Sequence, residues 1–235
     1  MILLSIFLLL AGVPASGDTL PEWFIPLREA IYEQQLTSAQ IEPVYREISN
    51  RARSSLSGAA QCVVLSRCEY MMGRAYQYED RKNEAIARYD EGIRMAERAL
   101  EIQKSAEAYV MLAENISQSC VVRPASYAIA NGLKVERYAK NALEIDGRNA
   151  AAKIMIAVRW VYAPSPFNNH NRGIEMLTAI SNENNMEKDD TFNVYLAIGY
   201  AHIQRKNNAQ ARNWLSKALE IYPTNKYAQS LLAGL

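Results

Sequence analysis

The sequence predicts an all-α fold, an array of antiparallel helix pairs, and three observations predict it. Beyond residue 20, apolar residues recur at spacings of three and four, the signature of amphipathic helices. The period-two alternation of Val, Ile and Thr that marks half-buried strands is absent. The chain is also self-similar: two amphipathic segments joined by a short polar turn recur along it. Composition agrees with a packed array, since 49% of the 235 residues are hydrophobic and 22% charged, outside the range of disordered chains. A formal net charge of +1 lacks the basic excess of a general nucleic-acid binder, so no nucleic acid is expected as a partner.

The clearest unit spans 192–225. Its first segment runs from Phe192 through Tyr195, Ile198 and Gly199 to His202. A polar turn, Arg205-Lys206-Asn207-Asn208, leads to a second segment carrying Ala211, Leu215 and Ala218, and Pro223 ends the unit. The physical logic is specific. Small residues at 199 and 211 let the two helices approach closely, and Ala218 leaves room for a neighbouring pair. Pro223 lacks the N–H that would continue a helix. This unit resembles the tetratricopeptide repeat, a helix–turn–helix of about 34 residues, departing from it at His202, where the family has Tyr. The resemblance implies an α-solenoid of antiparallel helix pairs with degenerate terminal caps.

Weaker copies lie upstream. Residues 66–99 carry Met72-Gly73, Tyr76, Ala85 and Tyr89 in register around the turn at 79–83, with Gly92 in place of the usual Ala. Residues 106–147 carry Tyr109, Leu112, Ala113 and Ile116, then an insertion expected around Ser119 to Gly132, then Val135, Ala139 and Ala142. Residues 150–181 carry Ile156, Ala157 and Trp160, a loop at 163–169, then Gly173, Leu177 and Ile180. Residues 226–234 read as a capping helix started by Asn225, since a terminal repeat needs a cover for its apolar face. Residues 20–57 read as a degenerate helix pair packed on the first clear repeat, its second helix starting near Pro43.

Residues 1–17 read as a secretory signal peptide. The apolar run Ile2 to Val13 is shorter than the roughly 20 residues of a membrane-spanning helix and is followed by small residues. Basic residues before the run are missing. Val13 stands where a lipoprotein signal needs Cys, so no lipidation is expected. The remainder, 18–235, reads as a single superhelical domain, exported to the periplasm or outside the cell and membrane-associated if the leader is retained. No stable transmembrane span remains after removal of the leader.

The chemistry-bearing residues are sparse. Cys62, Cys68 and Cys120 are an odd count in apolar settings and read as core packing, not as a disulfide framework. His202 falls at a packing position, and His170 in an Asn-rich loop. Neither has companions at metal-ligand spacing, so no metal and no cofactor are expected. No GxSxG, HExxH, P-loop or dinucleotide fingerprint appears, and no catalytic residue is assigned. Asp190 reads as a helix start, where a carboxylate meets the positive end of the dipole. An enzyme using His170, Asp189 and Asp190 has no geometric reason to assemble. Asn115-Ile116-Ser117 matches a glycosylation sequon but falls inside a predicted helix, which favours a structural Asn.

In tetratricopeptide proteins the first helix of each pair lines a concave groove. Carried onto this sequence, the resemblance implies a partner-binding groove of Arg67, Tyr70, Arg74, Gln77 and Tyr78 from the first repeat. The second supplies Glu107, Val110 and Glu114, the third Ile154, Val158 and Tyr162, and the fourth Leu196, Tyr200 and Ile203. The arginines suit a carboxylate, because guanidinium forms paired hydrogen bonds. The apolar C-terminal part suits peptide side chains, unless the C-terminal helix or the Pro164–Pro166 loop folds over it. The function expected is a non-enzymatic scaffold in the bacterial envelope that holds a protein or peptide partner, such as an envelope or transporter component. The alternative is an accessory of a solute uptake system, in plan similar to exported tetratricopeptide proteins of TRAP-type transporters, or a binder of a hydrophobic small molecule.

Overall fold

The computed structural model describes residues 20–235. The expected signal peptide lies outside the described residues. After a single 3₁₀ turn, Glu22–Phe24, eleven α-helices follow: α1 (Ile25–Glu33), α2 (Ser38–Ser55), α3 (Gly58–Tyr78), α4 (Lys82–Ile102), α5 (Ala106–Val122), α6 (Ala125–Ile145), α7 (Ala150–Tyr162), α8 (His170–Ile180), α9 (Lys188–Gln204), α10 (Asn208–Ile221) and α11 (Lys226–Ala233). No strand occurs among the described residues, and no helix there is long and apolar enough to cross a membrane.

Sequence-local chemistry sets the helix ends. Thr37 and Gln40 form a reciprocal capping box at α2, in which the Thr37 N–H donates to Gln40 Oε1 at 2.9 Å. Ser105 caps α5, and Asn149, Asn169, Asn207 and Asn225 cap α7, α8, α10 and α11. Each such cap contributes about 1 kcal/mol. The capping box explains why α2 starts at Ser38 rather than near Pro43. Pro43 sits on an exposed face, where the one lost backbone bond leaves its acceptor to water.

Two of the turns are copies of one another. After α3, Asp80 is left-handed (φ 57°), the Arg81 N–H donates to Tyr76 O at 3.0 Å, and the Asp80 N–H donates to Gln77 O at 3.1 Å. After α9, Lys206 is left-handed (φ 57°), the Asn207 N–H donates to His202 O at 2.9 Å, and the Lys206 N–H donates to Ile203 O at 2.8 Å. Both are Schellman closures, which satisfy the last carbonyls of a helix and reverse the chain.

The helices pack in successive pairs, α3 with α4, α5 with α6, α7 with α8 and α9 with α10. The first helices also touch each other in sequence, α3 with α5, α5 with α7 and α7 with α9, whereas the second helices make no comparable contact among themselves. Crowding of the first layer and splaying of the second curves the array, with α3, α5, α7 and α9 inside. Small residues set the spacing within pairs. A Cβ on Gly199 would stand 2.8 Å from Leu215 Cγ, and one on Gly173 2.6 Å from Val161 Cγ2. Gly92 is explained by its neighbour, since a Cβ there would overlap the Asn115 carboxamide.

Three further expectations change. The segment around 119–132 is helical on both sides of a short link: α5 continues to Val122 and α6 starts at Ala125, so the residues read as an insertion belong to the end of one helix and the start of the next. The helix containing Phe192 starts at Lys188, inside what reads as a polar connector. The N-terminal helix pair divides its contacts. Helix α2 packs on α3, whereas α1 contacts α3 and also reaches the other end of the array. Phe24, Leu27, Ile31 and Tyr32 share one buried cluster with Phe192, Leu196, Leu215, Tyr222 and Ala228. Burying each large side chain of this kind contributes about 2 kcal/mol. Polar bonds complete the closure. Asn225 Nδ2 donates to Tyr32 O at 2.7 Å, Thr224 Oγ1 donates to Glu33 O at 2.8 Å, and the Lys226 N–H donates to Gln34 Oε1 at 2.8 Å.

Candidate functional site

Helix α1 contacts α3 and bonds to α9, so it lies along the inner face. It covers the apolar end of that face, for which the sequence leaves two readings open, an exposed binding surface or a cover by the C-terminal helix or the Pro164–Pro166 loop. What remains open is a cavity of about 910 Å³. Its walls come from α3 (Val63, Val64, Arg67), α5 (Glu107, Val110, Met111, Glu114), the start of α7 and the connector before α9.

Charge is concentrated on its floor. Arg67 Nη2 donates to Glu187 Oε2 at 2.9 Å and lies 3.5 Å from Asp189 Oδ2. Arg28, buried on α1, lies 3.7 Å from Asp189 Oδ1 and 3.9 Å from Glu187 Oε2. Burial opposes the charge on Arg67, but Glu187 and Asp189 outweigh it and hold the guanidinium protonated, with its pKa above the usual range. Glu114 and Asp190 face the same space. Burial pushes the Glu114 carboxyl up to about 7, against the pull of Arg67 and with a further push from Asp189 and Glu187. Burial also drives Asp190 well above the ordinary carboxylate range, and Asp189 and Glu187 add to it. Asp190 is 8% exposed. At the rim, Lys153 Nζ donates to Glu183 at 2.8 Å, and the exposed Arg148 and Glu107 flank the mouth.

The groove residues read from the sequence take different places. Arg67, Glu107, Val110 and Glu114 line this cavity. Arg74 sits over three tyrosines, its Cζ 5.2 Å from the Tyr32 ring, 5.8 Å from Tyr70 and 5.2 Å from Tyr78. It donates to Tyr70 Oη at 3.1 Å and also bonds the Tyr78 hydroxyl. Tyr70 is buried beside Tyr89, whose hydroxyl donates to Gln77 Oε1 at 2.7 Å. Tyr78 faces a second cavity of about 430 Å³ between α1, the end of α3 and α11. Ile154 and Leu196 are buried, and Val158, Tyr200 and Ile203 are half-buried. Tyr162 is exposed, with its ring centroid 5.2 Å from that of Tyr200.

Sequence reasoning missed Arg28, Lys153, Glu183, Glu187 and Asp190 as members of one site. The Asp189-Asp190 pair was visible as a helix start, and both residues do stand in the first turn of α9. Nothing local places Arg67 opposite them. His170 is the first residue of α8, half-buried rather than in a solvated loop. An eleven-residue helix, about 16 Å long, separates it from the connector that leads to the aspartates. His202 is buried, which lowers its pKa. Cys62 and Cys68 are buried and Cys120 half-buried, all as free thiols, and burial holds Cys68 up at about 12. Asn115 is fully buried, donating to Ser66 Oγ at 3.2 Å and Met111 O at 2.8 Å, so the sequon is part of the core. No three His, Cys, Asp or Glu side chains among the described residues converge closely enough to hold a metal ion.

Residues 192–225 match the tetratricopeptide repeat family. A solved structure, the crystal structure of YrrB, described as a TPR protein with an unusual peptide-binding site, is 14% identical to this chain, with a TM-score of 0.39. The match covers 87% of this chain and 96% of that one. No curated protein matches the chain. The α9–α10 pair, with its Schellman turn, its Gly199–Leu215 contact and its terminal Pro223, is the segment that matches the tetratricopeptide repeat, and it stands within an all-α array of helix pairs.

Proposed function

We propose that the protein is a non-enzymatic scaffold that holds an extended segment of a partner protein against the inner face of its helical array. The observation that carries this reading is the open cavity between α3, α5, α7 and the connector before α9. It is the part of the inner face that α1 leaves uncovered, and its volume of about 910 Å³ suits several side chains of a partner. The tetratricopeptide repeat at 192–225 supports it, because that architecture presents concave surfaces for protein segments. The partner proposed is a protein of the bacterial envelope, a transporter component being the narrower case. This location rests on the leader-like run at Ile2 to Val13.

The test is crosslinking in cells followed by affinity purification of the full chain. A defined partner should be captured by the natural protein and by the outer-face variant Arg98→Glu. It should be lost with the rim pair Glu107→Lys and Arg148→Glu, which alters exposed residues only. Equal capture by the rim variant, or no defined partner at all, would overturn the reading.

A further inference from the structure

Among the described residues, the cavity floor has more acid than its own arginines neutralise. Arg67 and Arg28 are committed to Glu187 and Asp189. Glu114 and Asp190 have no hydrogen bond and no ion pair among the described residues, although both line the cavity. For Asp190 this is costly, because its side chain is more than nine-tenths buried. Unpaired carboxylates in such a setting lose hydration without gaining a partner. The rim does not compensate. Among the described residues, the cavity walls carry six acidic side chains, Glu107, Glu114, Asp146, Glu183, Glu187 and Asp190, against three basic ones, Arg67, Arg148 and Lys153. Lys153 is already paired with Glu183.

A group that completes this site must be a cation small enough to reach the floor and long enough to enter from the rim. A compact metal ion is disfavoured, since no three ligating side chains converge. A lysine or arginine side chain fits. Its apolar stem would lie along Val63, Val64, Val110 and Met111, and its charged head would stand between Glu114 and Asp190.

We propose that this cavity is a subsite for a basic side chain, the lysine or arginine of a partner's extended segment, with Glu114 and Asp190 as its anionic floor. The inference rests on the scaffold reading and specifies the partner's chemistry. It also gives the unpaired acids a reason. They are held uncompensated so that binding, rather than folding, satisfies them. Burial and the neighbouring Asp189 and Glu187 favour protonation of both groups, so occupancy strengthens with rising pH as the carboxyls ionise, Glu114 doing so at about 7. The charged groups that oppose or assist this are Arg67 and Arg74 on α3, Glu187 before α9 and Asp189 on α9.

The test is isothermal titration calorimetry of the full chain at pH 8 in low salt. The probes are N-acetyl tri-lysine amide, its tri-norleucine counterpart and free spermidine. The lysine peptide should bind and the norleucine peptide should not. The double variant Glu114→Gln, Asp190→Asn should weaken lysine-peptide binding at least tenfold while remaining folded, judged by its thermal transition. The exposed rim variant Glu107→Gln should weaken it two- to threefold, and binding should fall several-fold at pH 5.5. Equal binding by the double variant, equal binding of the norleucine peptide, or no peptide binding would overturn the proposal. Binding of spermidine without the peptide would overturn the peptide assignment in favour of a free amine. A partner captured from cells equally well by the natural protein and the double variant would sink this subsite and leave the scaffold reading standing.

Discussion

Tyr32 on the first helix stacks on Tyr222 at the end of the last repeat, with ring centroids 5.1 Å apart and planes 20° from parallel. Phe192 meets both rings edge-on, at 5.6 Å from Tyr32 and 5.2 Å from Tyr222. Three rings from opposite ends of the chain thus close a curved array that would otherwise end in two open faces. Offset and edge-to-face aromatic pairs add about 1 kcal/mol each beyond the area they bury.

Tyr32→Ala should therefore destabilise the protein by about 3–4 kcal/mol, in the range of large-to-small aromatic substitutions in cores. Urea unfolding measures this. The smaller substitution Asn225→Ala removes the cap of α11 and the bond to Tyr32 O together, and should cost about 2 kcal/mol. If α1 only rested on the array, Asn225→Ala would cost no more than an ordinary cap.

Arg67→Met should cost about 3 kcal/mol at neutral pH, because it leaves Glu187 and Asp189 with less positive charge in a buried setting. The loss should shrink at pH 4, where the orphaned carboxylates take up protons. Chemical denaturation at the two pH values distinguishes this from a loss of packing, which would be the same at both.

Glu114 predicts the opposite pH behaviour. Its folded pKa, pushed up to about 7 by burial, lies above the roughly 4.3 of an unfolded chain. The folded state binds more protons between these values, so stability is fully present below the unfolded pKa and falls as pH rises through about 7. Glu114→Gln removes the titration. The variant should be more stable than the natural protein at pH 8, on the order of 2 kcal/mol, with the gap closing at pH 5. Paired denaturation curves at these pH values check the sign.

Gly199 and Leu215 should be coupled. Gly199→Ala gains helix propensity of about 1 kcal/mol but drives a Cβ to 2.8 Å from Leu215 Cγ. The close approach should win, with a net loss of about 1–2 kcal/mol. In a Leu215→Ala background the same change should be neutral or stabilising. A double-mutant cycle reads the difference directly, and strict additivity would refute the contact.

Much of this architecture is legible in the amino-acid sequence. The polar turns at 79–81 and 205–207, the small residues at 73, 199 and 211, and the asparagine caps act within a few residues of themselves, so local order reveals them. Gly92 looked like a departure from the repeat because its reason, the Asn115 carboxamide, belongs to the next pair. The candidate site was legible only on one wall. Arg67, Glu107, Val110 and Glu114 follow from the register of α3 and α5. The opposing carboxylates lie on a connector whose composition says only that it is polar.

The all-α class, the pairing of neighbouring helices and their turns follow from the order of residues along the chain. Hydrophobic periodicity, capping and turn chemistry are short-range forces written residue by residue. The tertiary structure alone decided that α1 crosses to the last repeat, that Arg67 and Arg28 share Glu187 and Asp189, and that Glu114 and Asp190 are left facing an open cavity. Those outcomes depend on the summed curvature of the whole array. A small rotation at each helix pair fixes which distant side chains finally meet, and no local pattern encodes that sum.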